Sequence, residues 1–500
     1  MPQSREMRLL HSRWSAGQGW PKRLEWVEIK NLRGWIGQRI EFQFPITAIV
    51  GENGVGKSTI LQAVAASFDS EFYPSEFFPD TPWEKVRDAT ITTSHRDGPT
   101  TGSVSTSLRK LTERWRGHEE RKDRPVVYID LGRIQPIAGR VGYARMAKRG
   151  VKETGSDAFD PATIERFSRI MGREYAVARL STTDAGGDSS SVPVMTRDRE
   201  SYSGFHSGAG ETVLAELLHK KLPKFSIVLI DEIETSLHPR MQRRLMRDLA
   251  TACRNLEIQC ILTTHSPYVL DELPPEGRIC LDETQGQKRI ISGISPAFAM
   301  SKMDEDRHPE ADVWVEDERS ATLLNEIVSR TNQADLIVRY QAVPFGAANV
   351  GRMLGTMCKE GRFKKPSVVF LDGDQDSSTG CAVLPGDDAP ERVVFDGLLA
   401  YGLDGVAKRI SRSPADVADT CRAATLLQNH HDWIKTAADR LHVSGDVLWQ
   451  AMCAEWSDGC LPRHDAEKVA DHIMAAITQY GGSVHTVMPP IMRQPDLDIS

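Results

Sequence analysis

The sequence predicts an α/β protein made of two successive parallel sheets, and three observations support this prediction. The apolar run I-T-A-I-V at 46–50 leads into the glycine-rich stretch G-E-N-G-V-G-K-S at 51–58, and apolar residues at helical spacing follow it. The run I-V-L-I-D-E at 227–232 has the pattern of a buried strand that ends in two acids. After residue 311 the chain alternates strand, helix, strand, helix and strand, an order typical of parallel sheets.

Length and composition limit the class of protein. Five hundred residues with 40% apolar composition suit two or three domains, each with its own core. The net charge of −7 gives no general attraction to nucleic acid, so any DNA binding must use local basic patches. All eight cysteines follow residue 250 without a C-x-x-C pair, which favours reduced thiols over a disulfide framework or a zinc site.

Targeting signals are also missing from the sequence. No apolar stretch approaches the roughly 20 residues that span a bilayer, and the N-terminal residues lack the apolar core of a secretory signal. We therefore expect a cytoplasmic protein without a membrane partner.

The stretch at 51–58 matches the phosphate-binding pattern G-x-x-x-x-G-K-[ST] at every fixed position. A strand, a glycine loop and a helix together aim backbone N–H groups and a helix N-terminus at a polyphosphate. Lys57 is expected to reach the outer phosphates, and Ser58 to hold Mg²⁺. The sequence thus predicts that the chain binds a nucleoside triphosphate through Gly51, Glu52, Asn53, Gly54, Val55, Gly56, Lys57, Ser58 and Thr59.

The acids at the end of the second buried run indicate what happens to the nucleotide. Asp231 is placed to hold Mg²⁺ through water, and Glu232 to orient and deprotonate an attacking water. Alone, the run would suit an ordinary buried strand with two solvated acids. Beside a phosphate loop, two adjacent acids favour hydrolysis over binding alone.

The remaining pattern organises the chain. A long insertion at about 70–206 separates the loop from the Asp231 strand, and residues 284–311 look like a connector. Helices are predicted at 211–222 and 239–250, and a strand at 258–265. The predicted domains are 24–295, 311–397 and a helical region at 398–480, with a disordered tail at 481–500.

Three further features narrow the family. His265 follows the apolar run at 260–262, E-T-S-L-H-P follows the two acids, and H-S-G-A-G-E at 206–211 opens a helix. The order of these motifs resembles the ABC-type ATPase heads of structural-maintenance-of-chromosomes and recombination proteins. That resemblance implies a homodimer or higher oligomer in which two heads enclose ATP, with His265 near the third phosphate.

The same resemblance assigns the helix-opening segment to the nucleotide of the partner subunit. Aligned on Glu211, the serine of the family falls on Gly208, while Ser207 lies one place earlier, so the phosphate contact stays open between them. The residues implied are Ser207, Gly208, Gly210 and Glu211, and Gln135 is the candidate for a glutamine that contacts the metal.

The C-terminal α/β unit carries a second group of acids. Glu316 ends its first strand, and Asp372 and Asp374 follow its third, two residues apart. Carboxylates gathered at one sheet edge repel each other unless a divalent cation such as Mg²⁺ or Mn²⁺ neutralises them. Asp376 and Glu391 are candidates to complete a two-metal site for phosphodiester cleavage.

One glutamate and a later D-x-D on such a frame resemble a TOPRIM domain. Behind an ABC-type head, this resembles the OLD (overcoming lysogenization defect) family of ATP-dependent nucleases. The resemblance implies a P-loop ABC-type ATPase domain with a long insertion, a small Rossmann-like TOPRIM domain, a DNA substrate and anti-phage defence. The chain departs from the family at Asp317, where a glycine is usual, and at Ser320, where an acid is usual. Lys468 is the candidate for a lysine that aids the leaving group.

Other interpretations remain open. The main alternative is an ATP-gated sensor or scaffold whose TOPRIM-like domain recruits or restrains an effector, for example a companion defence protein; Ser320 favours it. A transporter ATPase would have no use for the insertion or the C-terminal 200 residues. A recombination-type repair protein would share the head but would not need the D-G-D centre.

Two basic segments and one histidine pair complete the candidates. Arg240, Arg243, Arg244 and Arg247 form a stripe on one helix face that suits DNA phosphates, a partner subunit or only solvent. Residues 109–124 offer basic residues around Trp115, which suits a DNA surface or a charged loop. His430 and His431 are adjacent on an expected helix, should face different directions and receive no role.

Overall fold

A computed structural model describes residues 3–68, 71–98, 102–131, 152–184, 191–284, 286–481 and 485–486. The chain divides into two compact units, 1–303 with 483–500 and 304–482. Gln135 and nearly all of the tail at 481–500 lie outside the described residues. Within the described residues, no helix combines the length and apolar character that crossing a membrane requires.

The first unit contains one large mixed sheet and two antiparallel sheets. Its strands are β1 (Lys22–Leu32), β2 (Trp35–Glu41), β3 (Ile46–Gly51), β4 (Ala89–Asp97), β5 (Val104–Lys110), β6 (Val126–Asp130), β7 (Glu153–Ala158), β8 (Val177–Thr183), β9 (Ser191–Arg197), β10 (Glu200–Ser203), β11 (Ile227–Asp231), β12 (Gln259–Thr263), β13 (Arg278–Thr284) and β14 (Gln287–Ser292). A short strand, His485–Thr486, pairs with the edge of β14.

The helices of the first unit cover the large sheet. They are α1 (Arg5–Ser15), α2 (Lys57–Phe68), α3 (Pro74–Phe77), α4 (Pro161–Met171), α5 (Ala209–His219), α6 (Pro239–Leu256), α7 (Pro267–Glu272) and α8 (Pro296–Met303). The predicted helices at 211–222 and 239–250 are thus confirmed, with α6 one and a half turns longer than expected.

The large sheet has the strand order β14-β13-β3-β12-β11-β6, and β14 is the antiparallel member of this series. Every residue of β3, β11 and β12 is buried, as expected for central parallel strands. Because β12 lies between β3 and β11, the phosphate loop and the Asp231 strand are second neighbours. The end of β12 therefore reaches into the space between them.

Alternate residues of the central strands serve two cores. Val228 and Ile230 face a core with helices α1, α4, α5 and α6, whereas Ile227 and Leu229 face a core with α2 and the antiparallel sheet β2-β1-β4-β5. Within the insertion, the strand β4 pairs with both β1 and β5. The insertion adds a second antiparallel sheet, β10-β9-β8-β7.

The prediction that residues 284–311 only connect the two units is wrong for residues 287–303, most of which form regular elements. Residues Gln287–Ser292 form β14 and pair with β13, and Pro296–Met303 form α8. The strand buries alternate residues, Lys288 and Ile290, and Lys288 is a charged residue that sequence patterning does not mark as inward-facing.

The second unit is built on a four-stranded parallel sheet of order β16-β15-β17-β18. Its strands are β15 (Ala311–Val315), β16 (Tyr340–Pro344), β17 (Ser367–Leu371) and β18 (Cys381–Val383). Its helices are α9 (Glu318–Ser329), α10 (Ala348–Lys359), α11 (Pro390–Tyr401), α12 (Asp404–Arg409), α13 (Pro414–Thr425), α14 (Trp433–Leu441), α15 (Gly445–Gly459) and α16 (Arg463–Gly481).

The predicted alternation of strands and helices in this unit is confirmed, and a fourth strand, β18, adds to the three expected. The segment D-L-I-V before β16 belongs to a 3-10 helix, Ala334–Val338. Leu336 is buried there, and a short apolar run of this kind fits a strand or a helical turn equally well. The helical character of the chain after residue 398 is confirmed.

Candidate nucleotide site and carboxylate edge

The glycines of the phosphate loop have backbone conformations that other residues rarely adopt. Gly51, Gly54 and Gly56 have φ angles of 155°, 82° and 105°. A Cβ atom at Gly51 would overlap the carbonyl oxygen of Leu281, and one at Gly56 would lie 2.7 Å from Trp35 Nε1. The loop therefore needs glycine both for conformation and for close approach.

Lys57 begins α2 and points back over the loop. Its Nζ atom lies 2.8 Å from the Gly51 carbonyl oxygen and 3.0 Å from that of Glu52. Burial lowers the pKa of Lys57, and the nearby charges of Asp231, Glu234 and Glu232 oppose that shift. The structure thus brings the lysine of the loop into the field of the acids that follow β11.

Thr263, at the end of β12, connects the two acids. Its hydroxyl donates to Asp231 Oδ1 at 2.5 Å, and the hydroxyl oxygen of Thr263 also accepts the N–H of Glu232 at 2.8 Å. Thr263 and Asp231 are buried, whereas Glu232 is exposed. Glu232 has a φ of 54°, a left-handed conformation that costs a non-glycine residue about 1–2 kcal/mol. The Thr263 hydroxyl helps to hold this strained residue in place.

His265 follows β12 and is held by a residue that sequence analysis did not single out. Glu234 accepts the His265 backbone N–H at 2.6 Å through Oε1 and the Thr264 hydroxyl at 2.7 Å through Oε2. Burial and the charge of Lys57 lower the pKa of His265, so its imidazole is neutral near pH 7. The side chain is half-buried at the same sheet edge as Lys57 and Asp231.

The charges at this edge fit a divalent cation. Three carboxylates, those of Asp231, Glu232 and Glu234, act on one ammonium group, that of Lys57. Oxygen donors with excess negative charge are the environment that Mg²⁺ prefers. Ser58, half-buried beside Lys57, and Asp231 would hold the ion.

The segment that opens α5 is held by its own subunit. Gly208 is the N-cap residue, and its N–H donates to Glu211 Oε2 at 3.2 Å. Glu211 is buried, and its Oε1 accepts the hydroxyls of Tyr175 at 2.5 Å and Tyr202 at 2.9 Å. The Glu211 side chain therefore fixes the helix start from inside, and Gly208 is exposed.

The neighbours of Gly208 are also fixed. The Ser207 hydroxyl lies 3.0 Å from that of Thr212, and a Cβ atom at Gly210 would lie 2.8 Å from the Ser236 carbonyl oxygen. Gly210 thus lets α5 approach the loop after the two acids. Exposed backbone at Gly208, together with half-buried Ser207, is what this segment offers to a ligand outside the chain.

Two buried residues from other strands contact the loop, and no sequence motif predicts these contacts. Lys288 Nζ lies 2.7 Å from the Val55 carbonyl oxygen and 3.1 Å from Glu283 Oε2. Trp35 is fully buried, and its indole nitrogen faces Gly56 and has no hydrogen-bond partner among the described residues. Both side chains thus lie against the loop.

The arginine stripe on α6 is largely used within the chain. Arg243 lies 2.7 Å from Asp271, and Arg247 lies 2.9 Å from buried Glu272. Arg244 donates to the Ile170 carbonyl oxygen at 3.4 Å. These contacts tie α6 to α7 and α4, because paired charges stabilise buried carboxylates. Three of the four arginines of the stripe are thus held by contacts within the chain, and Arg240 is exposed.

The basic segment at 109–124 is divided between core and surface: Lys110 and Arg124 are buried, whereas Arg109, Arg114, Arg116 and Lys122 are exposed. Trp115 is buried, so it offers no exposed ring for stacking on a base. Lys110 is buried and lies 2.7 Å from Asp80, and Arg124 is buried and donates to the Phe225 carbonyl oxygen at 2.7 Å. The prediction of a stacking surface around Trp115 is wrong, because the ring packs into the core of the first unit.

In the second unit, Glu316 and Asp372 meet at the carboxyl end of two neighbouring strands. The Asp372 N–H donates to Glu316 Oε1 at 3.3 Å. Burial, together with the charges of Glu316, Asp317 and Asp374, raises the pKa of Asp372 to about 7, although a hydrogen bond from Ser320 opposes the shift. Burial also raises the pKa of Glu316. The predicted convergence of Glu316 and Asp372 is therefore present, with Asp374 exposed beside them.

Ser320 and Asp317, the two departures from the TOPRIM pattern, lie at this edge. The Ser320 hydroxyl is 2.6 Å from Asp372 Oδ1 and 3.1 Å from Asp317 Oδ1. Asp317 caps α9 and accepts the backbone N–H groups of Arg319 and Ser320. A hydroxyl thus contacts Asp372 where the family resemblance leads one to expect a further acid.

The remaining candidates of this unit lie apart in their contacts. Buried Glu391 forms an ion pair with Arg319 at 2.6 Å, so it does not join Glu316 and Asp372 as a free carboxylate. Asp376 is exposed, and Lys468 is exposed and pairs with Asp465 at 2.9 Å. The expectation that His430 and His431 face different directions is wrong, because they form a 3-10 turn with ring centroids 4.1 Å apart.

Two segments of the chain match known domain families. Residues 27–135 match the family described as "AAA domain", and residues 212–271 match "AAA domain, putative AbiEii toxin, Type IV TA system". The first segment contains the phosphate loop, and the second contains Asp231, Glu232 and His265.

Two curated proteins are similar to parts of the chain. The "Retron Vc95 probable ATPase" of Vibrio cholerae serotype O1 biovar El Tor is 35% identical over 92 residues, which cover 18% of this chain and 18% of that protein. The "Septu protein PtuA" of Bacillus mycoides (strain KBAB4) is 24% identical over 321 residues, which cover 55% of this chain and 42% of that protein. The chain thus matches less than half of the length of either relative.

Solved structures give partial overlaps. The SMC head domain from Thermotoga maritima overlaps 54% of this chain and 98% of that chain, with a TM-score of 0.35 and 16% identity. The Smc head domain of Pyrococcus furiosus, solved with an extended coiled coil and bound to the C-terminal domain of ScpA, overlaps 56% and 98%, with a TM-score of 0.34 and 16% identity. In the first unit, the segment with the phosphate loop and the segment with Asp231 are thus both similar to ATPase-type domains of the AAA class.

Proposed function

We propose that this chain is an ATP-hydrolysing switch that acts as a homodimer in cellular defence. The observation that carries the proposal is the meeting of Lys57, Asp231, Glu232 and His265 at one edge of the central sheet. Their arrangement suits hydrolysis, because a cation, a metal-binding acid, an exposed acid and a neutral imidazole are all available there. The defence role is supported by the similarity to a retron ATPase and to a Septu protein.

The residues of this edge divide the work. The loop N–H groups and Lys57 bind the phosphates, and Glu232 accepts a proton from the attacking water. Neutral His265 donates or accepts a hydrogen bond near the terminal phosphate. When bound by Ser58 and Asp231, Mg²⁺ supplies charge neutralisation of the phosphates.

The dimer is proposed from the segment before α5. Gly208 is exposed at the N-terminus of α5, and no described atom lies within 4 Å of where its Cβ would be, so an anion on a second copy of the chain can approach this helix end. In this arrangement each nucleotide lies between the loop of one subunit and Ser207, Gly208 and Gly210 of the other.

Single-turnover and steady-state ATP hydrolysis test the proposal. Lys57→Ala is expected to abolish ATP binding, because the phosphates lose their lysine. Glu232→Gln is expected to bind ATP normally and to hydrolyse it about 10²–10⁴-fold more slowly, the usual contribution of a general base. Normal hydrolysis by Glu232→Gln would refute the assignment of the base.

A second candidate function is metal-dependent cleavage of DNA at the edge formed by Glu316, Asp372 and Asp374. The observation that favours it is the contact of Glu316 with Asp372 at the carboxyl ends of neighbouring strands. Burial, and to a lesser extent the charges of nearby acids, raises the pKa of both carboxyls, and Mg²⁺ or Mn²⁺ would neutralise these charges. Ser320 at Asp372 and the pairing of Glu391 with Arg319 favour the alternative, a non-cleaving sensor that recruits a companion protein.

Plasmid nicking in Mg²⁺ and in Mn²⁺ separates these alternatives. For a nuclease, Asp372→Ala with Asp374→Ala removes nicking and leaves ATP hydrolysis unchanged. If the unmodified protein leaves plasmid and linear DNA intact in both metals, the nuclease fails, and co-purification with a companion protein would then support the sensor.

A further inference from the structure

The strongest unexplained cluster in the second unit joins Glu391, His430 and His431. One ligand atom of each residue lies within 4.8 Å of the ligand atoms of the other two. Glu391 is buried in the first turn of α11, His430 is half-buried and His431 is exposed. The cluster therefore has a buried anion at its base and an open side toward solvent.

Local structure fixes the two histidines on the same side. The Asn429 side chain accepts the His431 N–H at 3.2 Å and caps the 3-10 turn His430–Asp432. His430 contacts the ring of buried Trp433, whose indole N–H donates to the Leu427 carbonyl oxygen at 2.9 Å. Adjacent residues of a 3-10 turn point about a third of a circle apart. The contacts above nevertheless hold the two imidazole rings close together, with centroids 4.1 Å apart.

The donor set and its spacing suit a transition metal. His431 Nδ1 lies 3.1 Å from Glu391 Oε1. Ligands bound tetrahedrally to Zn²⁺ at about 2.0–2.1 Å lie about 3.4 Å apart, which is close to this distance. Two imidazoles and one carboxylate also favour Zn²⁺ over Mg²⁺, because Mg²⁺ takes oxygen ligands.

Arg319 is the neighbour that any metal must tolerate. Its Nη1 atom lies 2.6 Å from Glu391 Oε1, and its Nη2 atom lies 3.1 Å from the His431 carbonyl oxygen. Carboxylates that bind metals are commonly hydrogen-bonded by such outer groups, which orient them. The positive charge of Arg319 repels a cation at this place and weakens its binding, so we expect the affinity for the metal to be moderate rather than very tight.

We propose that Glu391, His430 and His431 form a binding site for Zn²⁺ or a similar transition metal. Three protein ligands leave the fourth position to water. This site is separate from the carboxylate edge of Glu316 and Asp372, and it uses imidazoles that the proposed ATP and DNA chemistry does not need. The inference does not rest on the proposed function.

Titration calorimetry with ZnCl₂ on the full chain, freed of any histidine tag, tests the site. We expect one Zn²⁺ per chain in the unmodified protein, and loss of this binding in Glu391→Gln and in the double variant His430→Ala with His431→Ala. His464→Ala is the matched control, because His464 is equally exposed but lies outside the cluster, and it should bind Zn²⁺ normally. Lys57→Ala should also keep the metal while it loses ATP.

A second measurement protects the test against misfolded variants. Co²⁺ in place of Zn²⁺ should give the visible absorption of a four-coordinate site in the unmodified protein and not in Glu391→Gln, with equal circular dichroism in the absence of metal. Arg319→Gln should bind Zn²⁺ at least about tenfold more tightly, because a competing charge is removed. Absence of binding in the unmodified protein, equal binding in all variants, or weaker binding by Arg319→Gln would overturn the proposal.

Discussion

The replacement Thr263→Val tests whether the link between the two acids after β11 matters for hydrolysis. Valine has nearly the shape of threonine but lacks the hydroxyl, which donates to Asp231 Oδ1 at 2.5 Å and accepts the Glu232 N–H at 2.8 Å. Thr263 is fully buried, so water cannot readily replace the lost partner.

The magnitude follows from these two bonds. A hydrogen bond to a charged group contributes about 1.5–3 kcal/mol, and one between neutral groups about 0.5–1.5 kcal/mol. Glu232 also gains about 1–2 kcal/mol when it leaves its left-handed conformation. We therefore expect the free energy that favours the correct placement of Glu232 to fall by about 2 kcal/mol. A change of this size lowers kcat by up to about 30-fold.

The assay is steady-state ATP hydrolysis with separate kcat and KM, combined with thermal unfolding. The expected result is a lower kcat with a KM within about threefold, because Lys57 and the loop are untouched. Thr47→Val is the matched control: Thr47 is buried in β3, and its hydroxyl donates to the Phe44 carbonyl oxygen at 3.3 Å rather than to an acid of the site. If Thr263→Val and Thr47→Val lose equal stability and both keep full kcat, the reasoning is refuted.

Three further predictions concern residues that brace the first unit. Lys288→Met should weaken ATP binding about tenfold in a direct titration, because the Val55 carbonyl loses a buried donor. Lys22→Met is the control and should bind normally, because half-buried Lys22 donates to the Asp123 carbonyl oxygen and not to the loop. Glu234→Gln should lower kcat about tenfold with unchanged ATP affinity, because one amide cannot accept both the His265 N–H and the Thr264 hydroxyl; an unchanged kcat would contradict this. Burial lowers the pKa of His95, so the unfolded chain binds the proton more readily, and stability is lost as pH falls below about 6.5. His95→Leu should reduce this acid-side loss in melting curves between pH 7 and pH 5, and a parallel loss in both proteins would argue against it.

The local sequence pattern is sufficient to predict the phosphate loop and most of the strands and helices around it. Residues 51–58 specify their own conformation, since the left-handed glycines and the following helix are set by neighbours in the chain. The Asp231 strand and the alternation after residue 311 are equally local, because continuous apolar runs and helical spacing reflect burial directly.

Contacts between distant strands could not be predicted in this way. The role of Thr263 depends on β12 lying between β3 and β11, and strand order is not written in any one segment. Lys288 looks like a solvated lysine until the pairing of β14 with β13 turns it toward Val55. Glu211 similarly shows its role only when the insertion brings Tyr175 and Tyr202 to it.

The second unit shows the same limit. The convergence of Glu316 and Asp372 follows from parallel strands that end at one edge, so the sequence anticipates it. The ion pair of Glu391 with Arg319 joins residues 72 apart in sequence, and it removes a carboxylate that the sequence had offered to the metal edge. The sequence pattern does not distinguish the 3-10 turn at His430–Asp432 from an α-helix, so it predicts the wrong directions for the two imidazoles.

The central claim is an ATP site shared by two copies of the chain, and mixing two inactive variants tests it most directly. Lys57→Ala removes ATP binding. Gly208→Asp places a negative charge where the partner's phosphates should lie, and it should fold, because aspartate suits an N-cap and no described atom lies within 4 Å of the new Cβ. Each variant alone should be inactive. An equal mixture should regain about a quarter of the wild-type ATPase rate, since half of the dimers are mixed and each of these has one intact site of two. Full activity of Gly208→Asp alone, or an inactive mixture in which mixed dimers are demonstrated, would contradict the claim.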